Sequence, residues 1–206
     1  MNRCVIIGGA KIADYERIQR ALRPDDFLVC CDSGLKHAEP LGIVPSLIVG
    51  DFDSHSRPET DTETITLPRA KDDTDTVYAA REAVRRGFEE FLLIGVTGQR
   101  FDHTFVNVSL LLWLEARGKR ALILDDYAEM EIVARETKTV TGDYAYFSLL
   151  NISGTAEEVT IRGAKFPLEG GTITSEYQYA ISNEVLPGQT ACITVGKGKL
   201  LLMRVF

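Results

Sequence analysis

The sequence predicts an α/β N-terminal domain built on a largely parallel sheet, followed by a C-terminal all-β sandwich domain. Up to about Asp126, short apolar runs alternate with stretches of helical composition, the order expected of a parallel sheet with helices on both faces. Three of these runs end directly in polar chemistry. Leu28-Val29-Cys30-Cys31 leads into Asp32-Ser33-Gly34, and Leu47-Ile48-Val49-Gly50 into Asp51-Phe52-Asp53-Ser54. Phe91-Leu92-Leu93-Ile94-Gly95 leads into the segment from Thr97 to His103. From about Tyr127 the helical period disappears and short β-type runs punctuated by Gly and Pro replace it, so the expected domains are 1–126 and 127–206.

Cys4-Val5-Ile6-Ile7 is the first expected strand, running into Gly8-Gly9-Ala10 and a helical stretch from Lys11 to Leu22. Glycines at such a turn let the backbone approach a phosphate, but the G-x-G-x-x-G pattern is absent and a plain tight turn is an equal reading. After Pro24 a second strand, Phe27 to Cys31, precedes a short helix ending near Leu41-Gly42, and Pro45 separates it from the strand ending at Gly50. His55 to Glu63 is polar and turn-rich, a surface loop. Thr64 to Leu67 is a short strand, and Lys71-Asp72-Asp73-Thr74-Asp75 opens a helix through about Arg86. Acids stand in its first turn, Arg81, Arg85 and Arg86 in its last, and Gly87 closes it. Phe91 to Ile94 is the next strand. Asp102 is the expected cap of a helix from His103 to Arg117, whose Val106, Val108, Leu110, Leu111, Leu112, Trp113 and Leu114 imply burial on most faces. Ala121 to Leu124 closes the α/β part. The β-type runs that follow are Thr137 to Val140, Tyr144 to Leu150, Glu158 to Ile161, Thr172 to Ser175, Ala191 to Val195 and Leu200 to Val205.

With 45% hydrophobic and 26% charged residues, the 206-residue chain has an ordinary globular composition. A net charge of −7 argues against a nucleic-acid partner, which would want a basic face, and leaves room for a phosphorylated ligand approached through a cation. No apolar run nears the ~20 residues of a membrane span, and the N-terminal apolar segment is too short for a signal peptide. The expectation is a cytoplasmic protein that engages no membrane. Cys4, Cys30, Cys31 and Cys192 lack metal-type spacing and read as reduced core residues. His37 and His55 read as solvated positions, whereas His103 neighbours the candidate chemistry.

That chemistry is acidic. Asp32, Asp51, Asp53, Asp72, Asp75 and Asp102 fall at strand ends or helix starts expected on one rim. Carboxylates gathered there repel one another and any phosphate unless a hard divalent cation neutralises them, and Mg²⁺ is the natural candidate. Asp72 and Asp75 stand three apart and share a face if both are helical, where Asp51 and Asp53 could meet them. Taken alone, the block from Asp72 to Asp75 reads as a capped helix start; beside Asp51 and Asp53 it reads as a ligand site. Arg100 has two readings, an ion pair with Asp102 or a planar fork on phosphate oxygens. Thr97 and Gly98 could offer hydroxyl and backbone donors to the same phosphate.

Together Asp32-Ser33-Gly34, Gly50-Asp51-Phe52-Asp53-Ser54, Lys71-Asp72-Asp73-Thr74-Asp75, Gly95-Val96-Thr97-Gly98-Gln99-Arg100-Phe101-Asp102-His103 and the late Ser182-Asn183 resemble the thiamine pyrophosphokinase (thiamine diphosphokinase) family. The match runs through both halves in order. Gln99 departs from it, since the family often carries a second glycine after Thr-Gly. The resemblance implies ATP-dependent transfer of a diphosphoryl group to the hydroxyl of thiamine, giving thiamine diphosphate and AMP, with Mg²⁺ required. It implies attack on the β-phosphorus with Asp51, Asp53, Asp72 and Asp75 on the metal and phosphates and Arg100 countering phosphate charge. Asp102 would be a metal ligand or an orienter of Arg100, and Asp32, Thr74, Thr97, Gly98 and Arg100 would contact ATP.

The resemblance also implies a homodimer whose thiamine pocket lies between the α/β domain of one subunit and the β domain of the other. Ser182 and Asn183 fall by position in that pocket. Phe166 falls where some members place a stacking aromatic, which would gain cation-π attraction from the thiazolium; a buried strand aromatic is the alternative. Two rival functions remain, a phosphatase with an aspartyl nucleophile in Asp51-x-Asp53 and a nucleotide-sensing protein without catalysis.

Overall fold

Cys4 to Ile7 are wholly buried, as a strand covered on both faces must be, and with Arg3 they form β1 (Arg3–Ile7) at the centre of a parallel sheet. The computed structural model describes residues 3–52, 59–70, 72–98, 100–134 and 136–206, and the chain divides into two units, Met1–Asp126 and Tyr127–Phe206. In the first unit β1 is followed by α1 (Tyr15–Ala21), β2 (Phe27–Cys31) and a 3₁₀ turn over Asp32–His37 that runs into α2 (Ala38–Leu41). Then come β3 (Leu47–Gly50), β4 (Glu63–Thr66), α3 (Asp75–Arg85), β5 (Glu90–Ile94), α4 (Phe101–Glu115) and β6 (Arg120–Leu124). These strands pair in parallel in the order β4-β3-β2-β1-β5-β6. The chain steps outward from β1 to β4 and then returns to β1's other side as β5. The strand order therefore reverses between β1 and β5, and in open α/β sheets ligands gather beyond the carboxyl ends of the strands at that point.

Three helix starts differ from expectation, the first two because a polar side chain takes backbone N–H groups at or ahead of the helix start. The first helix begins at Tyr15 rather than Lys11. The Asp126 carboxylate accepts the N–H groups of Ala13 and Asp14 at 2.9–3.0 Å, and Asp14 then caps Arg17 N–H at 2.9 Å. In α3 the Thr74 hydroxyl accepts Val77 N–H at 3.3 Å, so Asp72 and Asp73 precede the helix and the shared helical face of Asp72 and Asp75 does not form. Helix α4 starts at Phe101 with Arg100 in the cap position, which puts Asp102 inside the first turn rather than at the cap. Its expected burial on most faces is also corrected. Val108, Leu110, Leu111 and Leu114 are buried, while Phe101 is 74% and Phe105 53% exposed. A nearly uniform apolar sequence conceals one-sided packing because periodicity is readable only where polar residues mark the other side.

Cys4, Cys30 and Cys31 are buried, and desolvation pushes the thiols of Cys4 and Cys30 up to about 12, so they act as apolar core groups; Cys192 is exposed. Among the described residues no helix is long and apolar enough to cross a membrane.

The second unit is antiparallel. Its strands are β7 (Ala128–Val133), β8 (Lys138–Val140), β9 (Tyr146–Leu150), β10 (Thr155–Arg162), β11 (Leu168–Thr174), β12 (Ala191–Thr194) and β13 (Leu200–Val205). They form the layers β7-β13-β9 and β11-β10-β12-β8, whose inner residues Phe147, Leu149, Val159, Ile161, Ile173, Ile193, Leu200 and Leu202 build one core. β7 was not among the expected strands, although Ala128-Glu129-Met130-Glu131-Ile132 alternates with period two. Its glutamates face polar partners: Arg204 pairs with Glu131 and lies 3.6 Å from Glu129, and Tyr144 donates its hydroxyl to Glu129 at 2.9 Å.

Candidate functional site

Four loops leave the carboxyl ends of β1, β2, β3 and β5, and glycine lets their backbones touch. Gly8 N–H donates to Ile94 O at 2.9 Å and Ala10 N–H to Gly95 O at 2.8 Å, binding the first loop to the β5 loop across the reversal point. A Cβ on Gly8 would meet Gly95 O at 2.5 Å. One on Gly34 would overlap the Ile7 carbonyl oxygen and stand 2.9 Å from its carbon, and one on Gly50 would lie 3.1 Å from Asp32 Cα. These glycines are required by backbone-on-backbone packing. The tight-turn reading of Gly8 and Gly9 is the one the geometry supports, because the N–H groups ahead of α1 already hold the Asp126 carboxylate.

Asp32 opens the 3₁₀ turn with φ at +40°, in the left-handed region, and its Oδ1 is buried without a hydrogen-bond partner among the described residues. Both features cost free energy, the first of order 1–3 kcal/mol, and such costs concentrate where a ligand completes the site. Asp51 follows Gly50 half-buried, and Phe52 after it turns left-handed at φ +51°. Asp53, Ser54, His55, Lys71 and Gln99 lie outside the described residues. Asp75 is half-buried in the first turn of α3, whereas Asp72 is exposed before it and Asp73 pairs with Arg81 at 2.6 Å.

Among the described residues, which leave out Asp53, no three of His, Cys, Asp or Glu form a group that could hold a metal. Asp32 follows β2, Asp51 follows β3, Asp72 and Asp75 stand at the start of α3, and Asp102 lies in the first turn of α4. The donors are nonetheless all hard oxygens, which suits Mg²⁺, an ion bound through one or two carboxylates with water and substrate phosphate completing its shell.

Arg100 and Asp102 form a two-bonded pair, Nε to Oδ1 at 3.0 Å and Nη2 to Oδ2 at 2.7 Å, with side chains 71% and 63% exposed. The guanidinium holds the Asp102 carboxyl well below the usual carboxylate range. Since exposed pairs are worth little net, exchanging this carboxylate for a phosphate would cost little. The donors expected of Thr97 and Gly98 are engaged instead. Thr97 donates its hydroxyl to Asp125 at 2.8 Å, and Gly98 N–H donates to Thr104 Oγ1 at 3.0 Å. Buried Asn107 donates to Val96 O at 2.8 Å and so fixes the same loop from α4. Thr104, Asn107 and Asp125 were missed in the sequence. Only Asp125 carried a signal, as an acid ending an apolar run.

His37 is also corrected, being 2% exposed rather than solvated, within hydrogen-bonding distance of Tyr15 and Ala10.

In the second unit Asn183 is buried, and its amide serves the main chain. Oδ1 accepts the N–H groups of Phe166 at 3.0 Å and Glu184 at 2.9 Å, and Nδ2 donates to Phe166 O at 2.8 Å. The Asn183 amide thus clamps the Phe166 backbone, with both Oδ1 lone pairs taken. Phe166 itself is 60% exposed, which overturns the buried-aromatic alternative. Ser182 is exposed at φ +53°, its N–H donating to Ser148 Oγ at 3.0 Å. Removing the amide by Asn183→Ala should destabilise the protein by about 1–3 kcal/mol through the Phe166 groups left unpaired. Urea unfolding checks this. Unchanged stability with weakened thiamine binding would restore Asn183 as a direct contact.

Comparison with known proteins places this geometry among relatives. The family model "Thiamin pyrophosphokinase, catalytic domain" matches residues 18–123, and "Thiamin pyrophosphokinase, vitamin B1 binding domain" matches residues 130–200. The chain is 26% identical over 181 residues, 84% of each chain, to a thiamine pyrophosphokinase of Bacillus subtilis. The crystal structure of a thiamine pyrophosphokinase from Bacillus subtilis superposes with a TM-score of 0.88 at 24% identity, covering 99% of both chains. One from Geobacillus thermodenitrificans superposes at 0.85 and 28%, covering 99% of this chain and 97% of its own.

Proposed function

The chain belongs to the thiamin pyrophosphokinase family, and from that premise we propose that it transfers the diphosphoryl group of ATP to the hydroxyl of thiamine. The observation that carries this reading is the pair of family models matched in chain order, one over each unit. In the proposed reaction the thiamine hydroxyl oxygen forms a bond to the β-phosphorus of ATP, the bond from that phosphorus to the α,β-bridging oxygen breaks, and AMP departs. The hydroxyl proton passes to solvent or to a carboxylate of the site.

Mg²⁺, held by Asp51, Asp53, Asp72 and Asp75, would supply charge neutralisation between the acidic rim and the phosphates. Asp32 would contact the nucleotide with its buried, unpartnered oxygen, beside Thr74, Thr97 and Gly98. Arg100 would leave Asp102 for the phosphates, its planar fork matching two oxygens at once. On the second unit, Phe166 would offer its exposed ring to the thiazolium, with Asn183 holding the Phe166 backbone and Ser182 adjoining Asn183 in the chain. A homodimer and a cytoplasmic location belong to the same reading.

Incubating the protein with ATP, Mg²⁺ and thiamine tests it. AMP and thiamine diphosphate in equal amounts are the expected products. Free phosphate would favour an aspartyl phosphatase, and ATP binding without turnover a nucleotide sensor.

A further inference from the structure

The 3₁₀ turn that begins with Asp32 is fastened at its other end. Lys36 Nζ donates to Gly9 O at 2.5 Å, and His37 Nε2 lies 2.8 Å from Ala10 O. A carbonyl only accepts, so Nε2 carries the proton; Nδ1 is then an acceptor, and the Tyr15 hydroxyl at 2.7 Å donates to it. Tyr15 opens α1 and Ala10 ends the glycine loop after β1. One buried ring thus joins three segments: the turn bearing Asp32, the first loop and the first helix. At the turn's opposite end Asp32 holds its left-handed φ of +40° with an unpartnered oxygen, and Cys31 before it makes no side-chain cap. A strained residue persists only when its surroundings over-determine it. Gly50 packs against Asp32 from one side, and the fastening of the turn restrains it from the other.

We propose that His37, together with Tyr15, is a positioning residue that keeps Asp32 in its nucleotide-facing conformation through the 3₁₀ turn. The proposal rests on the reading that Asp32 contacts ATP. It assigns a role to a histidine outside the acidic and Thr-Gly motifs, and it favours the neutral ring, because protonation of Nδ1 would reverse the hydrogen bond with Tyr15 and place a charge on a buried ring. The titratable groups facing the ring are Tyr15 from α1 and Lys36 on its own turn. Burial and the Lys36 charge hold the imidazole below the ordinary histidine value, burial being the larger cause. The neutral form therefore prevails at pH 7, and the donor and acceptor roles at Tyr15 are disturbed as pH falls through that lowered value.

The experiment measures ATP binding to the purified full chain by calorimetry, alongside turnover, for the wild type, Tyr15→Phe, His37→Gln, Asp32→Asn and the Asp32→Asn/His37→Gln pair. Tyr15→Phe removes one hydroxyl and serves if His37→Gln fails to fold. The expected result is an ATP dissociation constant raised about 10-fold by Tyr15→Phe or His37→Gln, with kcat changed less than KM for ATP. The double variant should bind ATP no more weakly than Asp32→Asn alone. Wild-type binding should weaken as pH falls through the lowered His37 value, a limb absent from His37→Gln. Penalties that add in the double variant, or wild-type ATP affinity in folded Tyr15→Phe and His37→Gln, would overturn the proposal. Unchanged ATP affinity in Asp32→Asn would overturn it as well. A wild type that binds ATP without forming AMP would instead refute the proposed reaction, and the binding comparison would still decide the role of His37.

Discussion

Asp51→Asn is expected to lower the rate of thiamine diphosphate formation by about 100-fold or more while the fold survives. Asparagine keeps the size of the side chain and removes its charge, so the change isolates electrostatics. Preorganised charges at transfer sites carry effects of this order because they act where water is excluded and need no reorganisation during the reaction. Asp51 is half-buried directly after Gly50, which packs so tightly that a Cβ there would lie 3.1 Å from the Cα of Asp32. Turnover measured across a magnesium series, with thermal melting to confirm folding, provides the check. Wild-type turnover at limiting Mg²⁺ would remove Asp51 from the proposed metal and phosphate site.

Gly34→Ala should be the most damaging single-methyl change in the first unit, lowering stability by about 3 kcal/mol. The added carbon would overlap the carbonyl oxygen of Ile7 and crowd the carbon behind it. Over-packing typically costs 1–3 kcal/mol even where side chains can move aside, and here the obstacle is the backbone of a central strand. Gly42→Ala offers the contrast. Its φ of +65° makes alanine unfavourable, but nothing lies within 4 Å of the new carbon, so about 1 kcal/mol is expected. Urea unfolding of both variants separates steric overlap from left-handed strain. Equal losses would show that the Gly34 contact relaxes freely. Because the Gly34 contact also seats the Asp32 turn on β1, folded Gly34→Ala protein should bind ATP more weakly than Gly42→Ala.

The acids that follow strands were legible because a buried parallel strand is a continuous apolar run and its end is marked by the first polar residues. That is why Asp32 and Asp51 could be placed at strand ends from composition alone. Helix starts were less legible, since they depend on which polar group takes the first N–H groups. Thr74 does so within its own motif, but Asp126 acts on Ala13 and Asp14 from the far end of the unit. The β7 strand was legible in principle by its alternation and was missed.

By itself the sequence determined the class of each half, most of the strands and the family resemblance, since apolar period and short motifs are properties of neighbouring residues. Only the tertiary structure decided the rest. It set β5 beside β1, so that the chain reverses where Gly8 meets Gly95, and it buried His37 between Tyr15 and Ala10. It turned the Asn183 amide onto Phe166, satisfied the Thr97 and Gly98 donors internally and left one face of α4 in the open. The physical reason is common to all of these. A residue's local pattern states whether it prefers burial or a polar partner, whereas the partner's identity depends on which distant backbone the fold brings within about 3 Å, where hydrogen bonds and steric overlap are decided.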